Sequence, residues 1–214
     1  MPVDCYYLLP SAPCRSVVML AKHLDVELNL HVMDLMQGDH LKPEFIEINP
    51  QHVVPTIVDD GFALWESRAI LCYLANKYSK NDDLYPKDPQ KRAVVDRMLY
   101  FDMGTIYQSF GEYIYPQIFK QLPADPEKEA VMKTKLGFFN SYLEKTKYAA
   151  GDKLTIADIS LAASVATFEA CSIDLSEFPR VKQWLEIVKK ELPYYEELNQ
   201  KGADMFAQWY KSKK

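Results

Sequence analysis

The chain contains little glycine, no long apolar run and no recognisable export signal. Only 7 of its 214 residues are glycine, which excludes a fibrous or low-complexity protein. No stretch approaches the roughly 18 apolar residues that predict a transmembrane helix. The first residues also lack a basic segment followed by an apolar segment. We therefore expect a globular protein of the cytoplasm that has no membrane partner.

The charges and the cysteines argue against two further classes of function. The net charge is −5, with acidic and basic residues interspersed, so no surface is predicted that could follow a phosphate backbone, and we expect no nucleic acid partner. Cys5, Cys14, Cys72 and Cys171 are widely spaced, without a Cys-x-x-Cys pair or a histidine at metal-ligand spacing. We expect free thiols in a reducing compartment and no metal.

The pattern of apolar residues in the first third of the chain predicts a small mixed α/β domain. Strand patterns at 3–8 and 27–32 flank a helical pattern at 12–24, which makes a β-α-β unit. A hairpin follows at 56–64, turning at Asp59-Asp60-Gly61, and then a helix over 66–78. The segment 79–89 is rich in Asn, Asp, Lys and Pro, as linkers are.

The rest of the chain shows helical patterns only. They lie at about 90–121, 126–145, 155–171 and 179–190, and in a C-terminal piece. Thr155-Ile156-Ala157-Asp158 predicts a capping box at the start of the third of these helices, a structural role. The sequence thus predicts an α/β domain at 1–80, a linker at 81–88 and an all-helical domain at 89–214.

Two neighbouring segments of the first domain predict a site for a small peptide. Pro55 enters the β-branched run Thr56-Ile57-Val58, so it belongs at a strand's first residue or in a tight turn. If the Val54-Pro55 bond is cis, it can turn the backbone groups of Val54 outward to pair with a ligand's backbone. Glu66-Ser67 begins a predicted helix, where free N–H groups and a hydroxyl can bind a carboxylate.

These segments and three others resemble the cytosolic glutathione transferases. Tyr6 to Arg15, reading YYLLPSAPCR, is similar to the Ser-x-Pro-Cys-Arg turn of the delta-class insect enzymes, and RMLYFDMG at 97–104 and LTIAD at 154–158 occur in order and at the family's spacing. The resemblance covers essentially the whole chain. It implies a thioredoxin-like N-terminal domain, an all-α C-terminal domain and a homodimer. Leu9-Pro10 departs from the Pro-Gly that usually precedes the serine.

The activity implied by this resemblance is conjugation of the glutathione thiolate to hydrophobic electrophiles, in detoxification of xenobiotics such as insecticides. Glutathione would be the co-substrate. The alternatives are a non-catalytic carrier of hydrophobic ligands, a glutathione-dependent isomerase or peroxidase, and a thiol-disulfide exchanger. The exchanger would need Cys14, which lies in the first turn of the predicted helix, where the pKa of a thiol can fall.

Ser11 is the candidate catalytic residue. Its position between a strand and a helix predicts an N-cap, and the resemblance implies that its hydroxyl stabilises the glutathione thiolate, aided by the helix N-terminus. The resemblance further implies that Glu66 binds the α-amino group of glutathione and Ser67 the α-carboxylate, with Arg68 as an adjacent charge. Arg15 is predicted to fix the helix start or a domain contact. The predicted glutathione-binding set is His40, His52, Val53, Val54, Pro55, Glu66, Ser67 and Arg68.

Aromatic residues are dense in the second domain. A stripe at helical spacing usually packs into a core, but Tyr113 and Tyr115 are two apart and cannot both face one core line. The resemblance implies an apolar substrate pocket here, lined by Tyr107, Phe110, Tyr115, Ile118, Phe119 and Phe206. A dimer-forming patch is predicted near Arg97, Tyr100, Phe101 and Asp102.

Overall fold

A four-stranded mixed sheet organises the N-terminal part of the computed structural model, which describes residues 2–213. The strands are β1 (Val3–Tyr7), β2 (Leu28–Val32), β3 (Thr56–Asp59) and β4 (Phe62–Trp65), in the order β2-β1-β3-β4. Strand β2 runs parallel to β1, whereas β3 is antiparallel to both β1 and β4. The predicted hairpin is tighter than expected, because only Asp60 and Gly61 form its turn, both with positive φ as the favoured two-residue turns require.

Helices lie on both faces of this sheet. Helices α1 (Ala12–His23) and α3 (Ser67–Tyr78) pack against each other and share one apolar core with the buried side chains of Val3 and Cys5. On the opposite face the Tyr6 ring contacts Phe45 of α2 (Pro43–Ile48), with ring centroids 5.2 Å apart. The sequence pattern did not predict α2, because six residues are fewer than two turns and show no clear period.

The C-terminal part consists of helices. Its first predicted helix, 90–121, consists of two helices joined by the π-helical turn Asp102–Tyr107, and a second π-helical turn, Glu196–Gln200, precedes the last helix. The thioredoxin-like and all-helical fold class is thereby confirmed, while the domain limits stay a prediction. The helices are α4 (Pro89–Phe101), α5 (Gln108–Phe119), α6 (Pro126–Tyr142), α7 (Ile156–Ala170), α8 (Pro179–Glu191) and α9 (Lys201–Lys211).

Helix α7 is the central helix and connects the two parts. All of its first thirteen residues are buried, as expected of a helix that is apolar on every side. The predicted capping box is present: Asp158 accepts hydrogen bonds from the N–H of Thr155 at 2.9 Å and of Ala149 at 2.7 Å. Helix α1 packs directly along α7, which places the N-terminal end of α1 against the helical part. Within residues 2–213, no helix is both long and apolar enough to cross a membrane.

Candidate active site

Ser11 lies at the N-cap of α1, but its hydroxyl does not cap the helix. Its backbone is extended (φ −76°, ψ 119°) and its side chain accepts no hydrogen bond from the first turn. One physical reason is Pro13, the second residue of the helix, which has no N–H to donate. The backbone N–H of Ser11 donates to the Leu8 carbonyl at 3.0 Å, which fixes the residue. A half-buried hydroxyl thus remains at the positive end of a helix, where it can stabilise an anion.

Cys14 is unsuited to redox chemistry. The side chain is completely buried in the first turn of α1. Burial raises the pKa of its thiol to about 11, although hydrogen bonding with Ser11 and the charge of Arg15 act in the opposite direction. At neutral pH the thiol therefore stays protonated and out of reach of a disulfide.

The loop before β3 is fixed by hydrogen bonds that leave the backbone of one residue, Val54, unpaired. The Val54-Pro55 bond is cis. Asn49 donates to the Val53 carbonyl at 3.1 Å and to the Thr56 hydroxyl at 2.8 Å, and that hydroxyl also donates to Val53 at 2.7 Å. Among the described residues, by contrast, nothing hydrogen-bonds to the backbone of Val54. The backbone N–H and carbonyl of Val54 can therefore pair with a peptide. The Val53 carbonyl, in contrast, already accepts two hydrogen bonds.

Glu66 and Ser67, at the start of α3, differ in exposure and in their hydrogen bonds. Glu66 has a positive φ of 67°, rare for a residue other than glycine, and its side chain is exposed. Ser67 is buried, and its hydroxyl oxygen accepts a hydrogen bond from Arg68 Nη1 at 2.9 Å. Because the oxygen accepts, the hydroxyl hydrogen is left to donate to a carboxylate.

Arg68 is held by a partner that the sequence did not reveal. Asp102 accepts from Arg68 Nη2 at 2.6 Å, and from the hydroxyls of Ser160 at 2.5 Å and Ser164 at 2.7 Å. Asp102 is completely buried, so its predicted place in a surface patch was wrong. Its partners lie 34 to 62 residues away, which is why no local pattern indicated the pairing.

His40 and His52 lie close together, with ring centroids 5.9 Å apart. The His40 Nδ1 atom is buried and has no hydrogen-bond partner in the part of the chain that the structure describes. Because a buried polar atom normally has a partner, this atom is available to hydrogen-bond with water or with a ligand. His52 is exposed and has a φ of 45°.

The predicted aromatic pocket divides into exposed and buried members. The Tyr107 and Tyr115 hydroxyls are 2.7 Å apart, and the Tyr107 ring lies 5.6 Å from the Arg68 guanidinium, so the aromatic cluster adjoins the glutathione-binding set. Phe119 is 65% exposed. In contrast, Phe110 is 1% exposed and stacks on Phe168 of α7 at 4.6 Å, and Ile118 is also buried. Phe206 is buried as well, at 8% exposed, and its ring centroid lies 6.4 Å from that of Tyr115. The pocket role of these residues stays a prediction.

The fold is that of a thioredoxin-like domain followed by a helical domain, and comparison with known proteins identifies the family. Residues 1–76 match the model of the glutathione S-transferase N-terminal domain, and residues 106–199 match that of the C-terminal domain. The chain is 50% identical to a delta-class glutathione transferase from Nilaparvata lugens over 100% of both chains, with a TM-score of 0.98.

Two further glutathione S-transferases of known structure are similar to this chain. An epsilon-class glutathione S-transferase from the housefly, Musca domestica, is 39% identical, with 99% of this chain and 98% of that chain covered and a TM-score of 0.92. A diazinon-metabolizing glutathione S-transferase in the silkworm, Bombyx mori, is 30% identical, with coverages of 97% and 100% and a TM-score of 0.89. The chain belongs to the glutathione transferase family: it is an enzyme whose co-substrate is glutathione, as the sequence predicted. Within residues 2–213 there is no cluster of three metal-ligating side chains.

Proposed function

We propose that Ser11 activates the thiol of glutathione in this transferase, which then conjugates the thiolate to hydrophobic electrophiles, including insecticides. The observation that carries the proposal is the Ser11 hydroxyl, which lies at the N-terminus of α1 and makes no capping hydrogen bond. A hydroxyl donating to sulfur, together with the positive end of a helix, favours thiolate over thiol. A thiol of pKa near ~8.5 is mostly protonated at pH 7, so lowering its pKa by ~2 units makes most of it nucleophilic.

The reaction consists of one substitution or addition at carbon. Glutathione loses its thiol proton to solvent, and the sulfur lone pair then forms a bond to the electrophilic carbon. In a substitution, the bond from that carbon to a halide breaks and the halide leaves with the electron pair. In an addition, the π bond of the electrophile breaks, and its electron pair takes up a proton from solvent. The protein holds the two reactants together, which removes much of the entropic cost of their encounter.

The glutathione tripeptide would be bound along its length. Val54 supplies an unpaired backbone N–H and carbonyl, Glu66 an exposed carboxylate for the α-amino group, and Ser67 a free hydroxyl hydrogen for the α-carboxylate. The buried, unpartnered Nδ1 atom of His40 supports a contact at the glycyl end, beside His52. Pro55 and Val53 shape the loop.

The electrophile would bind against the aromatic side chains of α5 and α9. The Tyr107 ring, beside Arg68, adjoins the glutathione-binding set, and the Tyr115 ring continues to Phe119 and Phe206. Such a surface favours apolar, weakly directional ligands. The silkworm relative described as diazinon-metabolizing supports the assignment of insecticides as substrates.

The decisive experiment is a conjugation assay with purified protein, glutathione and chlorodinitrobenzene, with benzyl chloride as a second electrophile. We expect turnover of both, and a rise in the KM for glutathione of Glu66→Ala and Ser67→Ala that exceeds the fall in kcat, since these residues would contact the non-reacting end. Binding of hydrophobic dyes without turnover would instead identify a carrier. Reduction of a peroxide or isomerisation without conjugation would favour those alternatives.

The second part of the proposal is a homodimer in the cytoplasm. Several large apolar side chains on and beside α4 and α6 are exposed: Tyr100 (70%), Met103, Val131, Phe138 and Tyr142. Exposed apolar side chains of this size suit a two-fold contact. Light scattering should give twice the chain mass of 24.7 kDa. A mass of one chain at micromolar concentration would refute the dimer. The four cysteines are free, which fits a reducing compartment.

A further inference from the structure

Arg15 is a completely buried cation that binds only neutral groups. Its Nε donates to Asn199 Oδ1 at 2.8 Å, and its Nη2 donates to the Ala163 carbonyl at 2.8 Å and to the Thr167 hydroxyl at 2.6 Å. No acidic side chain forms an ion pair with it anywhere in residues 2–213. Burial lowers the pKa of Arg15 to about 10, so the guanidinium remains charged at neutral pH.

The remaining nitrogen of Arg15 holds the segment that leads into Ser11. Nη1 donates to the Pro10 carbonyl at 2.7 Å and lies 3.5 Å from the Leu9 carbonyl. One guanidinium therefore joins the Leu9-Pro10 segment to α7 and to the π-helical turn Glu196–Gln200. Because the guanidinium is planar and rigid, its N–H donors cannot move independently. A displacement of Asn199 therefore shifts the guanidinium and, with it, the Pro10 carbonyl that it binds.

Gly202, at the start of α9, lies close against the same segment. A Cβ atom at this position would lie 2.4 Å from the Leu9 carbonyl oxygen and 2.6 Å from Arg15 Cδ. Both distances are far below van der Waals contact, and the first involves a backbone atom that has no rotamer to adopt. Only glycine allows α9 to approach Leu9 this closely.

We infer that Asn199 and Gly202 are positioning residues for the reaction: through Arg15 and the Leu9-Pro10 segment they hold the Ser11 hydroxyl where it donates to the glutathione sulfur. The C-terminal segment would thereby control the acidity of the bound thiol, some 190 positions along the chain from the serine. This inference rests on the proposed role of Ser11. It also gives a reason why Leu9-Pro10 can replace the more flexible Pro-Gly, since both of its carbonyls face the Arg15 guanidinium.

The test measures the pKa of the bound glutathione thiol from the ultraviolet absorbance of its thiolate as a function of pH. In Gly202→Ala the added methyl group must displace Leu9, so we expect that pKa to rise by about one unit. For a bound thiol whose pKa moves from about 6.5 to about 7.5, thiolate at pH 7 and kcat should then fall together, about threefold, while the KM for glutathione changes less than twofold. A purely structural role would lower thermal stability without moving the pKa.

Gly137→Ala is the matched control. Gly137 is also helical, in α6, but its added Cβ would lie 4.0 Å from the nearest neighbouring atom, on Phe178, which is an ordinary contact. This variant should leave both the pKa of the bound thiol and kcat unchanged. A rise in the pKa here as large as in Gly202→Ala would show that any glycine substitution has the effect, and would overturn the inference.

Asn199→Ala tests the link from Asn199 through Arg15 to the Leu9-Pro10 segment without adding atoms. If Gly202→Ala does not fold, this variant decides the inference. It removes the acceptor of Arg15 Nε and should raise the pKa of the bound thiol in the same direction. If the folded variants bind glutathione with the wild-type thiol pKa, the inference is wrong while the proposed function stands. If the wild-type protein itself forms no bound thiolate, the proposed role of Ser11 fails first.

Discussion

Arg68 reaches from α3 to Asp102, at the end of α4, with its Nη2 atom 2.6 Å and its Nε atom 3.2 Å from the same carboxylate oxygen. Ser160 of α7 donates to that same oxygen, and Ser164 of α7 donates to the other oxygen of this buried carboxylate. Arg68 in turn donates to the Ser67 hydroxyl. The proposed binding site for the α-carboxylate of glutathione is thus supported from the helical part of the molecule. Five residues from three separate parts of the sequence form one hydrogen-bonded group.

Asp102→Asn should weaken both folding and glutathione binding. The amide is of the same size but carries no charge, so Arg68 loses its counter-ion, at a cost of about 1–3 kcal/mol in unfolding free energy. Because Arg68 then no longer fixes Ser67, the KM for glutathione should rise several-fold, and more than kcat falls. Urea melts and steady-state kinetics measure the two effects.

Asp60→Asn is the control for that substitution. The Asp60 side chain is 64% exposed and lies 3.6 Å from Lys77, an exposed contact expected to contribute little. Stability and KM should both stay at the wild-type level. If Asp102→Asn behaved like this control, Asp102 would have no supporting role.

Ser11→Ala should lower kcat by roughly one to two orders of magnitude with little change in glutathione affinity, as expected for the loss of one hydrogen-bond donor to a developing or full charge. The control is Ser16→Ala, in the same helix, whose hydroxyl donates to the Pro13 carbonyl at 2.8 Å. It should retain kcat even if it melts at a lower temperature. An unchanged pKa of the bound thiol in Ser11→Ala would remove Ser11 from the mechanism.

Cys14→Ala should retain conjugation within about threefold. A thiol whose pKa is raised to about 11 is uncharged below that pH, so at pH 8 only about one molecule in a thousand carries a thiolate. Alkylation of the native protein should correspondingly modify the half-buried Cys72 before Cys14, as mass spectrometry of digests can determine. Loss of conjugating activity in a folded Cys14→Ala protein would instead favour the thiol-disulfide exchanger, which requires Cys14.

The parts of the fold and site that the sequence predicted are those encoded locally. Pro55 and Ser11 stand in short segments whose residue types limit the backbone, and the capping box at Thr155 is complete within four residues. Asn49, Asp102 and Asn199 were not recognised as structural partners, because each acts through contacts that only the folded chain creates. Arg15 and Asn199 are 184 positions apart. The π-helical turn after α4 could not be predicted for another reason: its residues continue the apolar helical pattern of the sequence without interruption.

Phe119 and Phe110 provide the last test, which separates pocket from core. Both were predicted to line the substrate pocket, yet Phe119 is 65% exposed beside Tyr115 and Trp209, whereas Phe110 is 1% exposed beneath Phe168. Phe110→Ala should therefore cost about 3–5 kcal/mol of stability.

Phe119→Ala should cost much less stability, because its ring is already largely in water, and should instead change the order of preference among electrophiles of different size. A hydrophobic wall discriminates by only ~1–3 kcal/mol per methylene, so the change would be graded and glutathione affinity would stay the same. Thermal melts beside a panel of benzyl halides with increasing ring substituents measure both properties. A wild-type order of substrates in Phe119→Ala would show that the exposed ring lies outside the pocket, whatever its stability.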